Sequence, residues 1–222
     1  MKILAIFFII FFGVVNATTL EEIREIKKEY GTLSVIKSYK ELINKNNPQA
    51  MYELARIYIK GDGIDKNITK AHNLLLKASK LDHNESIYTL SKLYLSKKTT
   101  YFDKVKAYNT IIDSANNGHS KSQTLLGKFL LFGIAVDKDY EKALYYFKKA
   151  SKSKDYSANC YIAFMYASGS GVFPNFGRAH VFAKDQYKKG NKLCKKVWKD
   201  YNLGKYPKDN SWKIGNYNKP VK

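Results

Sequence analysis

The chain has 222 residues, 45% of them hydrophobic and 26% charged, with 18 tyrosines and a formal net charge of +20. That composition excludes a chain disordered throughout and is enough for a globular core or a short solenoid. The charge is silent about fold but predicts attraction to anionic partners, weakened by salt, and no nucleic-acid motif accompanies it.

The opening stretch, MKILAIFFIIFFGVVNA, joins Lys2 to an apolar run from Ile3 to Val15 and a small-residue site at Val15-Asn16-Ala17. This is the make-up of a cleavable secretory leader over residues 1–17. The run is short of the roughly 20 residues that span a bilayer, and no cysteine follows it for lipid attachment. A secreted or periplasmic protein is the expected product, with an uncleaved anchor as the alternative.

Residues 18–47 begin with the pattern of a capping box, Thr19 followed by Glu22. Leu20, Ile23, Ile26, Tyr30, Leu33, Ile36, Tyr39 and Ile43 then mark a helical face, with Gly31 dividing two helices. The pair does not carry the motif that follows it, and is expected to cap the open end of a stack.

From Pro48 onward the chain repeats with a period of 36. Ala50, Ser86, Ser122 and Ala158 share one slot, Leu54, Leu90, Leu126 and Ile162 the next, and Tyr58, Tyr94, Leu130 and Tyr166 a third. Ala71, Ala107, Ala143 and Ala179 form a fourth, and Ala78, Ser114, Ala150 and Gln186 a fifth. Each unit reads as a helix, a turn and a second helix, over 48–80, 84–116, 120–152 and 156–189. The third copy is the fullest, with Gly127 where a partner helix comes close and Asp139 as N-cap of its second helix. Turn glycines recur as Gly61/Gly63 and Gly169/Gly171, whereas the third copy has Gly133/Ala135 and the second has Lys97/Thr99, the least well specified turn. Residues 191–203 suggest a closing helix with Trp198 in the slot of Leu54 and Leu126, and 204–222 form a basic tail holding Trp212 and Tyr217.

The pattern small-x-x-x-Leu-small-x-x-Tyr, then Gly-x-Gly-Val, then Asp-Tyr-x-Lys-Ala-x-x-x-Phe-x-Lys-Ala resembles the Sel-one-like repeat (SLR), a relative of the tetratricopeptide repeat. DYEKALYYFKKA carries its second half and AFMYASGSGV its first. The resemblance, over 48–190, implies an all-α, right-handed α-solenoid of stacked helix-turn-helix units with a concave face. Positions two before and two after the Leu slot would line that face: Tyr52 and Arg56, Tyr88 and Lys92, Thr124 and Lys128, Cys160 and Phe164. Arg56, Lys92 and Lys128, with Lys121 beside them, would form a basic ladder next to a tyrosine shelf. Such a surface suits the carboxylates of an acidic protein or peptide, with solvated helix faces as the bland alternative and an envelope glycan or other anionic surface as the rival partner.

Two cysteines, Cys160 and Cys194, are an even number in an exported chain, which favours a disulfide; the separation of neighbouring helices argues against it. The secreted cysteine-rich branch of the family carries cysteine pairs eight apart, which this chain lacks, and penicillin binding with weak β-lactam hydrolysis has been ascribed to that branch. Ser-x-x-Lys occurs here as Ser34/Lys37 and Ser151/Lys154, without the Ser-Asp-Asn or Lys-Thr-Gly elements a β-lactam site uses. No catalytic set, metal set or cofactor motif is expected. His72 and His180 share one repeat slot and His83 and His119 another, and are read as exposed turn histidines; Glu21/Glu22 and Asp137/Asp139 are read as helix-start residues.

Overall fold

The computed structural model describes residues 18–206; the leader and the tail with Trp212 and Tyr217 lie outside them. The described residues hold eleven α-helices: α1 (Leu20–Tyr30), α2 (Ile36–Asn44), α3 (Pro48–Lys60), α4 (Ile68–Ser79), α5 (Asn84–Tyr94), α6 (Lys104–Asn116), α7 (Ser120–Phe132), α8 (Tyr140–Lys152), α9 (Ala158–Ser168), α10 (Phe176–Lys188) and α11 (Lys192–Asp200). Single 3-10 turns follow α1 and α11, at Leu33–Val35 and Leu203–Lys205. None of the described helices is long and apolar enough to cross a membrane. Two compact units divide within α6, between Thr110 and Ile111.

Two kinds of turn recur with the period of the sequence. Inside each pair, the N-cap of the second helix is Asn67, Asp103, Asp139 or Asn175, and its side-chain oxygen accepts the N–H of Lys70, Lys106, Lys142 or Arg178. The same four residues donate their own N–H to the carbonyls of Tyr58, Tyr94, Leu130 and Tyr166, the third slot of the first helix. One position, Asn or Asp in every copy, therefore satisfies an orphan amide of the second helix and ties it to the first. Between pairs, Asn46, Asp82, Gly118, Lys154 and Gly190 all take positive φ. The next residue, Asn47, His83, His119, Asp155 or Asn191, donates its N–H to the carbonyl of Leu42, Ala78, Ser114, Ala150 or Gln186.

This second series includes the leading pair. Its helices lack the repeat motif, yet α2 leaves through the same left-handed turn as α4, α6, α8 and α10, because that turn needs a compatible backbone rather than a particular side chain. Thr19 and Glu22 form both halves of the capping box, and Gly31 ends α1 with φ +82°.

In the first unit α1 to α4 pack around Ile23, Val35, Tyr39, Leu42, Ala50, Leu54 and Ile57. Gly63 has φ +71°, and a Cβ there would lie 2.9 Å from the Thr32 Cβ, so the turn excludes any side chain. The weak turn of the second copy is held differently: the Thr99 hydroxyl donates to the Ser96 carbonyl at 3.1 Å.

In the second unit Phe129, Phe147, Ile162, Met165 and Leu203 are fully buried. A Cβ on Gly127 would stand 2.7 Å from the Phe147 ring, which is the close approach of α7 and α8 that a glycine permits. Ala135 takes φ +65° in the slot where the first unit has Gly63. Cys160 on α9 and Cys194 on α11 form a disulfide, with Cα atoms 4.8 Å apart and both residues buried. Axis separation does not forbid the bridge: each Cα stands about 2.3 Å off its axis, so facing Cα atoms on helices about 8–10 Å apart are close enough to bridge. Trp198 is half-buried rather than a core residue; it stacks on Tyr187 at 4.7 Å, and Cys194 and Val197 fill the buried face of α11.

Candidate binding surface

The first unit contains a cleft of about 450 Å³ lined by α1, α2, α3 and the turn after α3. Five cations, Arg24, Lys27, Lys28, Arg56 and Lys60, surround it, with two carboxylates, Glu53 and Asp62. Arg24, Lys27 and Lys28 lie three and four residues apart on α1, and therefore share one face.

Glu53 organises the wall. Its carboxylate accepts from Arg24 through Nε at 3.1 Å and through Nη2, from the Tyr39 hydroxyl at 2.9 Å and from the Gln49 amide at 2.8 Å. Burial alone would raise its pKa, but the hydrogen bonds from Arg24, Gln49 and Tyr39 outweigh it and hold the carboxyl below its ordinary range. Burial, and then the bond to Glu53, push the Tyr39 phenol well up. Lys27 pairs with Asp62 at 2.7 Å and lowers its pKa. Arg24 and Lys27 are thus committed within the wall, and Lys28, Arg56 and Lys60 complete its cationic lining.

The network continues along α3. Gln49 Oε1 accepts from His83 Nε2 at 2.9 Å, while His83 Nδ1 accepts the Ser86 N–H at the start of α5. The Tyr52 ring lies 5.4 Å from the His83 ring, and the Arg56 guanidinium lies over Tyr52 at 5.6 Å. The next copy repeats the arrangement, with Lys92 over Tyr88 at 5.3 Å. Arg56 and Lys92 are exposed and Tyr52 and Tyr88 half-buried, so each cation sits on its own tyrosine four residues earlier.

The corresponding positions of the second unit are arranged otherwise. Thr124 is buried and donates to Asp155 at 2.7 Å; Cys160 is in the disulfide. Lys121 is exposed at the start of α7, and Lys128 lies over Tyr161 at 5.9 Å. Phe164 is half-buried and meets Phe132 at 6.1 Å. Here the slot faces an aromatic ledge of Phe132, Tyr161 and Phe164 rather than a polar cleft.

The serine motifs are engaged elsewhere. Ser34 donates to the Gly31 carbonyl at 2.7 Å, with Lys37 within 3.9 Å of Glu41. Ser151 donates to Asn159 at 2.6 Å, and Lys154 has left the helix as the positive-φ residue of the following turn. Neither pair places its lysine against its serine, as a nucleophile and base require.

The histidines depart from their reading as exposed turn residues. His72 is buried inside α4, bonded to the Tyr94 hydroxyl at 3.1 Å and stacked on Tyr101 at 4.0 Å. His180 is buried inside α10, with Nδ1 2.9 Å from the Leu203 carbonyl. His83 and His119 stand in turns, where their Nδ1 atoms bond Ser86 and Ser122 of the helices they precede. No group of three metal-binding side chains occurs among the described residues.

Sequence reasoning missed Arg24, Lys27, Lys28, Glu53, Lys60 and Asp62, since the cleft joins α1 to α3 across about 30 residues of chain. The basic spacing on α1 was the available signal.

The Sel1 repeat family model matches residues 48–83, 120–155 and 157–184. Among solved structures, a protective antigen of uropathogenic Escherichia coli strains displaying an SLR fold superposes with a TM-score of 0.72 at 22% identity. It is matched over 82% of this chain but only 40% of its own length. A Sel1 repeat protein from Oxalobacter formigenes gives 0.66 at 24% identity over 86% of this chain and 79% of its own. An immunity protein from Pseudomonas aeruginosa gives 0.54 at 21% identity, over 80% and 69%. These likenesses establish the α-solenoid fold. No curated protein matches the chain in sequence.

Proposed function

We propose that this chain, a Sel1 repeat protein, is an exported interaction module that holds an acidic segment of a partner protein in the cleft of its first unit. The observation that carries the reading is the cleft itself: five cations around about 450 Å³, with both carboxylates already bonded to Arg24 and Lys27. An acidic segment sets its carboxylates against Lys28, Arg56 and Lys60, and Tyr52 adds contact area that loses little freedom on binding. Long-range attraction from a chain of net charge +20 speeds the encounter. Export rests on the leader over residues 1–17 and is supported by the Cys160–Cys194 bridge, since disulfides persist in oxidising compartments.

The test is the affinity of the purified protein for a fluorescein-labelled oligoglutamate peptide, read by anisotropy. Replacing Arg56→Glu together with Lys60→Glu, or Arg56→Glu with Lys92→Glu, weakens binding by at least about tenfold and leaves the helical circular dichroism unchanged. Undiminished binding in both variants would dispose of the site.

A further inference from the structure

A second cavity in the first unit, of about 440 Å³, is lined by Lys40, Ile43 and Asn44 of α2, Leu54 and Tyr58 of α3, and Lys70, Asn73 and Leu74 of α4. We propose that it binds a medium-chain fatty acid, the alkyl chain along Ile43, Leu54, Tyr58 and Leu74 and the carboxylate between Lys40 and Lys70.

Three observations select that ligand. The floor is apolar: Leu54 is buried, and Ile43, Tyr58 and Leu74 pack against the core while part of each stays open to the cavity. The lining contains no carboxylate, unlike the acidic-peptide cleft, where Glu53 and Asp62 already meet cations. Lys70 lies over the Tyr58 ring at 5.4 Å, which holds a positive charge at the edge of the floor.

The rim carries two ammonium groups, Lys40 and Lys70, beside the amides of Asn44 and Asn73; Asn73 Oδ1 lies 3.3 Å from His72 Nδ1, and His72 Nε2 lies 3.1 Å from the Tyr94 hydroxyl. A peptide brings backbone N–H donors that need acceptors. A fatty acid brings only methylenes and an acceptor-only head, which matches two ammonium groups above an apolar floor. The volume falls in the range of small-ligand sites, roughly 300–1,000 Å³.

The experiment titrates isotope-labelled full-length protein with sodium decanoate below its micellar concentration and follows the methyl resonances of Ile43, Leu54 and Leu74. Decanoate gives saturable shifts at those methyls, while decylamine and acetate, which lack the head or the chain, bind at least about tenfold more weakly. Lys40→Glu with Lys70→Glu removes decanoate binding by a similar factor without changing the thermal midpoint, and Leu74→Gln weakens it independently of charge. Equal binding of decanoate and decylamine would overturn the proposal, as would shifts that miss these methyls. Displacement of decanoate by oligoglutamate, a carboxylate ligand without an alkyl chain, would also overturn it.

Discussion

The first unit closes its N-terminal end with polar chemistry and the second closes its C-terminal end with a covalent bond and aromatic stacking. At the first, Arg24 of α1 reaches Glu53 of α3, and Tyr39 and Gln49 complete the carboxylate's hydrogen bonds. At the second, Cys194 of α11 is joined to Cys160 of α9, and Trp198 stacks on Tyr187. Among the described residues the first and last helices of the chain have repeat neighbours on one side only, so each needs something beyond the shared apolar seam. The lesson is that the polar solution borders a charged cleft, while the covalent one uses Cys160, at the position of Tyr52 in the first unit, for the bond itself.

The sharpest way to break that contrast is to remove the covalent end. Cys160→Ala with Cys194→Ala lowers the stability of the second unit by about 2–4 kcal/mol, read as an earlier urea transition of Trp198 fluorescence in a Trp212→Phe background. A transition that does not move would show that stacking alone closes this end.

Glu53→Gln attacks the polar end, at a cost of about 1–2 kcal/mol because Arg24 is half-exposed and partly rescued by water. The pH dependence follows from the lowered pKa of Glu53 in the fold. Its contribution is complete above the pKa of the unfolded chain's carboxyl and is lost as pH falls through the lower folded value. Wild type and Glu53→Gln are therefore expected to differ at neutral pH and to converge in acid, when chemical denaturation is repeated across pH 2–7; a constant gap at every pH would contradict the role given to the ionised carboxylate.

The repeated interior should show no such contrast. Asn67→Ala in the first unit and Asn175→Ala in the second each lose a cap at the same step of the pair, and each costs about 1 kcal/mol by thermal unfolding. The smallest effect is a gain: Ala135→Gly relieves a left-handed alanine and raises stability by about 0.5–1 kcal/mol, which brings the second unit's turn closer to that built on Gly63.

Much of this design was legible in the sequence because repeated packing constrains side-chain size. Ala71, Ala107, Ala143 and Ala179 are buried at one depth, and only a small residue fits there. The turn between pairs was hidden, since Asn46, Asp82, Gly118, Lys154 and Gly190 share a backbone conformation and no chemistry. The buried places of His72 and His180 were hidden too, because each depends on a neighbour outside its own helix, Tyr101 and Leu203. Of the residues named for the ladder, Arg56 and Lys92 lie over Tyr52 and Tyr88 in the first unit, each cation on its own ring. The cleft beside it depends on α1 docking against α3, a long-range event that periodicity does not record.

The most direct test of the central claim is chemical-shift mapping of the oligoglutamate peptide on the labelled protein at low salt. The account predicts perturbations centred on Lys28, Glu53, Arg56 and Lys60 that disappear as salt is raised. Perturbations that persist in high salt, or that fall on the Phe132, Tyr161 and Phe164 ledge instead, would contradict it.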